Sequence, residues 1–250
     1  MSDSPLFSVV CATLLRPSYT ALVASVRRQS FRDFEFIGRS DPGNEYIARN
    51  RAIATARGRY LVFVDDDAVL RPDHLLRLAE AIRENEDPPA LGGPIQGNMF
   101  GQGTQLVNEP SWGVGANMTI AKATLDRVGP FEEKWGLDRT PRGWRADTDM
   151  WWRIEDAFVG GATWLPNLIM DHPGMMQSVW DPEVEGVFFR RWRKRYIARF
   201  VPIDPRGQQF LLETQDLEPE ETAEVVRCRK ATRSMMPGLP VLAQEREAKA

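Results

Sequence analysis

The first half of the chain alternates short apolar runs with segments whose apolar residues recur every three or four positions. Phe7-Ser8-Val9-Val10-Cys11-Ala12-Thr13 predicts a buried strand, which Arg16-Pro17-Ser18 ends. Leu22, Val23 and Val26 then share a helical face, with Arg27 and Arg28 at the negative end of that helix. Phe34 to Gly38 predicts a second strand, and Ile47, Ala48, Ala52, Ile53 and Ala56 a second helix with Gly58 as its stop. Tyr60-Leu61-Val62-Phe63-Val64 is apolar without interruption, as expected of a strand covered on both faces, and it ends abruptly in Asp65-Asp66-Asp67. Arg71-Pro72-Asp73 opens a third helix that turns Leu75, Leu76, Ala79 and Ile82 to the core and leaves His74 on its surface. Such alternation predicts an α/β fold with a mainly parallel central sheet flanked by helices.

The middle of the chain is less periodic. Gly92, Gly93, Gly97, Gly101 and Gly103 punctuate a loop or hairpin region. Trp112 to Ile120 reads as a strand and Ala121 to Val128 as a short helix, stopped by Gly129-Pro130-Phe131. Residues 132–145 form a charged, Gly- and Trp-containing loop, Asp147 to Phe158 a helix, and short strands follow near Thr163 and Leu168. From Phe188 to Phe200 the aromatic residues Phe189, Trp192, Tyr196 and Phe200 fall on one helical face, with Arg and Lys over the remainder. That segment suits either a packed helix with a solvated basic side or a helix lying on an anionic membrane or phosphorylated acceptor. Composition shifts after Val201, so the expected organisation is a main domain over residues 1–200 and an extension over 201–250, partly helical and partly disordered.

Bulk properties narrow the classes. The 250 residues can bury a substantial core, and 42% apolar with 27% charged residues is ordinary for a globular protein. A formal net charge of -3 provides no basic field for nucleic acid. Cys11 and Cys228 are too few for a disulfide scaffold and lack metal-ligand spacing, which fits a reducing cytoplasm. No stretch approaches the roughly 18 apolar residues of a membrane span.

The acidic triplet carries the chemistry. Adjacent carboxylates raise one another's pKa unless a cation compensates. On an extended segment Asp65 and Asp67 point one way and Asp66 the other. The carboxyl ends of strands in open α/β sheets are where ligands bind, and oxygen ligands suit Mg²⁺ or Mn²⁺. A solvated turn with capping aspartates is the plain alternative.

In this setting the chain resembles a family 2 glycosyltransferase of the GT-A fold. The resemblance rests on the opening strand, on Ala48-Arg49-Asn50-Arg51-Ala52-Ile53, and on Ala56-Arg57-Gly58 through Asp67. It extends to Gly115-Ala116-Asn117-Met118 with Val128-Gly129-Pro130-Phe131, and to Ala146-Asp147-Thr148-Asp149-Met150-Trp151-Trp152-Arg153. It covers roughly residues 6–172 and implies a GT-A, Rossmann-type sandwich. The implied activity is an inverting transfer of a single sugar from a nucleotide-diphosphate donor, a UDP-sugar favoured, to a hydroxyl of a saccharide or other acceptor.

On matching positions the resemblance gives the metal to Asp67 with Asp65 and His172, and the donor to Thr13, Asp41, Arg49, Asn50, Asp65 and Asp66. The catalytic base falls on Asp147, and Asn117, Asp149 and Trp151 on the acceptor side. The family's usual glutamate before the base is Ala146 here, and its acidic stretch after the second strand is reduced to Asp41. Asp147 also suits a helix N-cap, His172 a structural role, and the tryptophans a core. Phe188 stands where processive relatives carry Gln ahead of an Arg-Trp pair, which favours single addition. The rival readings are a nucleotidyltransferase, disfavoured by the lack of a Gly-rich basic loop after the first strand, and a non-catalytic peripheral membrane module using residues 187–200. Sugar, base, acceptor and oligomeric state are left open.

Overall fold

The computed structural model describes residues 4–41, 44–98, 104–108, 110, 113–133, 145–173 and 181–235. The chain divides into two compact units, residues 1–179 and 180–250.

In the first unit, strands β1 (Phe7–Ala12), β2 (Phe34–Arg39) and β3 (Tyr60–Asp65) run parallel, connected through helices α1 (Ser18–Arg27) and α2 (Glu45–Thr55). Helix α3 (His74–Glu84) leads to β4 (Ala90–Gly92). The hairpin β5 (Ile95–Asn98) and β6 (Thr104–Val107) follows, and then β7 (Met118–Ala121), α4 (Lys122–Val128), α5 (Ala146–Ala157), β8 (Ala162–Trp164) and β9 (Met170–His172). The main sheet has six strands in the order β2-β1-β3-β7-β4-β8, parallel except where β7 enters between β3 and β4. A second sheet, β6-β5-β9, pairs β9 parallel to β5.

Alternation sorts the core into two layers. Phe7, Val9, Cys11, Tyr60, Val62 and Val64 form one buried cluster with Leu22 and Val26 of α1 and Leu75, Leu78 and Ile82 of α3. On the opposite face Phe63 meets Phe131 edge-on at 5.2 Å, and Phe131 stacks on Tyr46 of α2 at 5.8 Å. Continuous apolar character in β3 is thus explained: both of its faces are covered.

Several sequence expectations shift in detail. In α3 the buried row is His74, Leu75, Leu78, Ala81 and Ile82, while Leu76 is exposed and Ala79 only partly covered. The helix phase is rotated so that Leu78 takes the inward turn. Residues Gly115–Asn117 form a 3₁₀ turn, so the expected strand from 112 begins only at Met118. Helix α2 ends at Thr55, and Gly58 serves instead as a point of close approach: a Cβ there would lie 2.3 Å from the Ser8 nitrogen. Gly129, at φ 84°, ends α4 as expected. The loop expected at 132–145 lies almost wholly outside the described residues, as does the chain beyond 235.

In the second unit, α6 (Pro182–Arg199), α7 (Pro205–Thr214) and α8 (Pro219–Met235) each begin at a proline, and Asp181 and Asp204 cap the first two through their side chains. Phe188, Phe189, Tyr196 and Phe200 are buried and pack edge-on or tilted against one another. Trp192, expected on the same face, adopts non-helical angles, φ -117° and ψ 24°, and is only partly buried, while Phe188 is buried in the aromatic cluster. The Tyr196 hydroxyl donates to buried Glu185, and Arg193 pairs with Glu221 across α6 and α8. The aromatic face of this segment is therefore occupied by its own unit. Among the described residues no helix is long and apolar enough to cross a membrane.

His74, expected at the surface, is 2% exposed with no hydrogen-bond partner for Nε2. Burial pushes its pKa down to about 4, against the opposing pull of Asp73. The unfolded chain, with a histidine near 6.5, therefore binds a proton that the fold refuses between those two values. Stability should be full above about pH 6.5 and decline by about 3 kcal/mol as the pH falls towards 4. Urea denaturation at a series of pH values should show His74→Leu flattening that decline, and an unchanged slope in the variant would refute the assignment.

Candidate functional site

The site sits at the carboxyl end of β3, where the sheet delivers three carboxylates in a row. Pleating separates them as expected. Asp66, 3% exposed, turns towards the end of β1 and accepts hydrogen bonds from Thr13 Oγ1 at 3.0 Å and the Leu14 nitrogen at 3.1 Å. Arg16 adds its Nε at 2.9 Å and a guanidinium contact through Nη2. Asp65 and Asp67 turn together towards His172, whose Nε2 lies 3.4 Å from Asp65 Oδ2 and 3.1 Å from Asp67 Oδ1.

His172 reaches this point because β9 pairs with β5 and also meets the loop after β3. Val69 and Asp171 exchange backbone hydrogen bonds of 2.7 and 3.3 Å. Arg71 reinforces the junction with two bonds to Asp171 and one to Gln96. Gly97 permits the close passage of β5, since a Cβ there would fall 1.8 Å from the His172 carbonyl oxygen.

Asp65, Asp67 and His172 each offer one ligand atom, and these atoms all lie within 4.8 Å of one another. The set fits a divalent cation: carboxylate oxygens of Asp65 and Asp67 and the Nε2 of His172 converge, a mixed oxygen and nitrogen donor set. Burial disfavours the charged imidazole, yet its bonds to Asp65 and Asp67 raise the His172 pKa to about 10. Burial likewise opposes ionisation of Asp65, but the His172 bond and the Arg49 charge hold it at about 2.

Arg49, from α2, is 3% exposed and spans the cleft. Its Nη2 donates to Asp65 Oδ1 at 2.8 Å and its Nη1 to Asp147 Oδ1 at 2.9 Å. Asp147, in the first turn of α5, also accepts from the Gly115 nitrogen through Oδ2 at 3.1 Å. Gly115 has to be glycine at that approach, because a Cβ would stand 2.1 Å from the same oxygen. Burial raises the Asp147 pKa, with Asp65 adding to the rise and Arg49 and the Gly115 amide pulling it back. Asp65 and Asp147 are thus two carboxylates on one arginine whose pKa values are driven in opposite directions, a pattern typical of divided roles.

The structure brings together Asp65, Asp67, His172, Arg49 and Asp147, and sets Thr13 and Asp66 beside them. It places the other expected residues in different settings. Asn50 bonds the Phe131 backbone through both ends of its amide, at 2.8 and 3.1 Å, and so ties α2 to the segment after α4. Asn117 donates to the carbonyls of Pro94 and Leu168. Asp149 is fully buried and pairs with Arg153. Trp151 is 1% exposed and packs edge-on against Trp164 at 6.2 Å. Asp41 pairs with Arg51 at the end of β2. Sequence reasoning missed Arg16 and Gly115. Arg16 had a signal, as the one charged residue between the first strand and the helix; the Gly115 amide had none.

Residues 17–132 match the family model described as Glycosyl transferase family 2. This match includes Arg49 and the acidic triplet and stops short of Asp147 and His172, which the fold brings to the same cleft. No curated protein sequence matches the chain. Among solved structures, S. aureus TarS superposes with a TM-score of 0.55 at 16% identity, over 93% of this chain and 49% of TarS. The chain therefore spans about half the length of that relative. TarS residues 1–349 in complex with UDP-GlcNAc give 0.55 and 16% over 94% of this chain and 81% of that one. The mannosyltransferase PcManGT of Pyrobaculum calidifontis, in complex with GDP-Man and Mn2+, gives 0.51 and 12% over 99% and 79%. Residues 17–132 thus carry the signature of glycosyltransferase family 2, running through the acidic strand end, and the chain as a whole has the fold of these glycosyltransferases.

Proposed function

We propose that this enzyme is a metal-dependent, inverting glycosyltransferase that adds one sugar at a time from a nucleotide-diphosphate donor, a UDP-sugar favoured, to an acceptor hydroxyl. The observation that carries this reading is the convergence of Asp65, Asp67 and His172 on one side of Arg49 and of Asp147 on the other. The structural relatives bound to UDP-GlcNAc and to GDP-Man with Mn2+ accord with it. Asp67, Asp65 and His172 hold Mn²⁺ or Mg²⁺. When bound, the ion supplies positive charge against the departing nucleotide diphosphate.

The protein's own groups handle the proton. Asp147 accepts the acceptor's hydroxyl proton as that oxygen attacks the anomeric carbon in line. The bond from that carbon to the diphosphate breaks, and the leaving group keeps the electron pair, so the anomeric configuration inverts. A carboxylate whose pKa burial has raised is a better proton acceptor than an exposed aspartate. Asp66 serves the donor side indirectly: by binding Thr13, Leu14 and Arg16 it fixes the loop that follows β1. A cytoplasmic setting accords with two buried free thiols, Cys11 and Cys228.

Calorimetry of UDP, GDP and dTDP, each with and without Mn²⁺, tests the donor and metal assignments. One nucleotide should bind only with Mn²⁺, and Asp67→Ala should weaken that binding at least about tenfold, the loss of one ligand of a small oxygen-nitrogen set. Metal-independent binding of every nucleotide would overturn the assignment. Asp147→Asn should leave nucleotide affinity within about threefold and lower the transfer rate on the order of 10³-fold, within the usual range for a lost general base. Retention of that rate would remove Asp147 from the mechanism. Gly115→Ala, which forces the Asp147 carboxylate aside, should lower kcat with little change in nucleotide binding; a wild-type kcat would show the contact to be dispensable.

A further inference from the structure

Arg49 stands apart from the other cations of the cleft. Arg16 is half exposed and serves Asp66 and Asp67, which are neighbours in sequence. Arg49 is buried and joins carboxylates from two different elements, Asp65 at the end of β3 and Asp147 at the start of α5. Its guanidinium is held in place from two sides, with the Tyr46 ring centroid at 5.5 Å and that of Phe131 at 5.6 Å. Those rings belong to one stacked cluster with Phe63, so the guanidinium rests on the core and not on solvent. Asn50, the next residue, fastens Phe131 to the same helix.

A donor-binding arginine would have to leave these partners to reach a phosphate, exposing two carboxylates to each other across a partly buried gap. The geometry points to a different use: we propose that Arg49 is a positioning residue that fixes the Asp147 carboxylate relative to Asp65 and so aligns the base with the donor end of the cleft. This rests on Asp147 being the base. The planar guanidinium suits the task because its two terminal nitrogens address two carboxylates at once, with the Gly115 amide holding the other Asp147 oxygen. A lysine keeps the charge but, as a single ammonium on a flexible stem, does not impose the same alignment.

The test compares Arg49→Lys, Asp147→Asn and the double variant in the complete chain, each first shown to keep the wild-type circular dichroism and melting profile. Crystals grown with Mn²⁺ and UDP should show Asp147 Oδ2 of Arg49→Lys displaced from the Gly115 amide, and an unmoved carboxylate would overturn the proposal without any activity being needed. In turnover of UDP-GlcNAc or GDP-mannose, followed by release of the nucleotide diphosphate, Arg49→Lys should lower kcat about 100-fold, as expected for a misplaced reacting group, with the donor KM within about threefold. A loss confined to KM would make Arg49 a donor-binding residue and refute the proposal. In the Asp147→Asn background Arg49→Lys should cost less than about threefold, since it acts through a base already removed. Undiminished turnover in Asp147→Asn alone would strike at the base assignment; a severe loss there with none in Arg49→Lys would strike at the positioning role alone.

Discussion

Three consecutive carboxylates at the end of a buried strand repel one another, and the arrangement around them is largely the answer to that repulsion. Each is met by a cation from a different part of the chain: Arg49 from α2 for Asp65, Arg16 from the loop after β1 for Asp66, and His172 from β9 for Asp65 and Asp67 together. The compensation is distributed by the pleat, which sends Asp66 one way and its neighbours the other. Where the pleat leaves Asp65 and Asp67 facing the same space, the partner they share is an imidazole, a group that can surrender its proton to a metal ion. The cleft is therefore balanced for exchange and not for permanence.

The same balance explains how the two carboxylates bonded to Arg49 come to differ. Asp65 has His172 as well as the guanidinium for a partner and is held far into its ionised form. Asp147 has the guanidinium and one amide, and burial outweighs them. The family match covers the triplet and Arg49, while Asp147 and His172, which complete the site, lie beyond the matched segment. Their convergence is a property of the fold, produced by the pairing of β9 with β5 and by the start of α5 beside Gly115.

Much of the fold was readable from patterning. The runs at 7–13 and 60–64 had only one sensible structure, because a continuous apolar strand needs helices on both sides. The triplet's division into Asp66 on one side and Asp65 with Asp67 on the other followed from strand geometry alone. What escaped was whatever depended on distant packing. His74 looked like a surface residue because it follows Pro72-Asp73 at the helix start, outside the predicted apolar face, yet the phase of α3 turns it inward. Trp192 appeared to continue a regular helical stripe, and no local signal betrays the kink there. Asp149 and Asn117 read as cleft residues by resemblance, whereas their partners, Arg153 and the carbonyls of Pro94 and Leu168, give them structural bonds that no spacing announces.

The junction between Val69 and Asp171 has a consequence for how the molecule comes to be competent. The contacts that define the cleft connect residues 98 to 107 positions apart, Arg49 with Asp147 and Asp65 with His172. Each closes a long loop of chain, so none can form until the strands between them have found their places. A metal held by Asp65, Asp67 and His172 would therefore act as a clasp between the two sheets, drawing β9 at the edge of the smaller one to the end of β3 inside the larger.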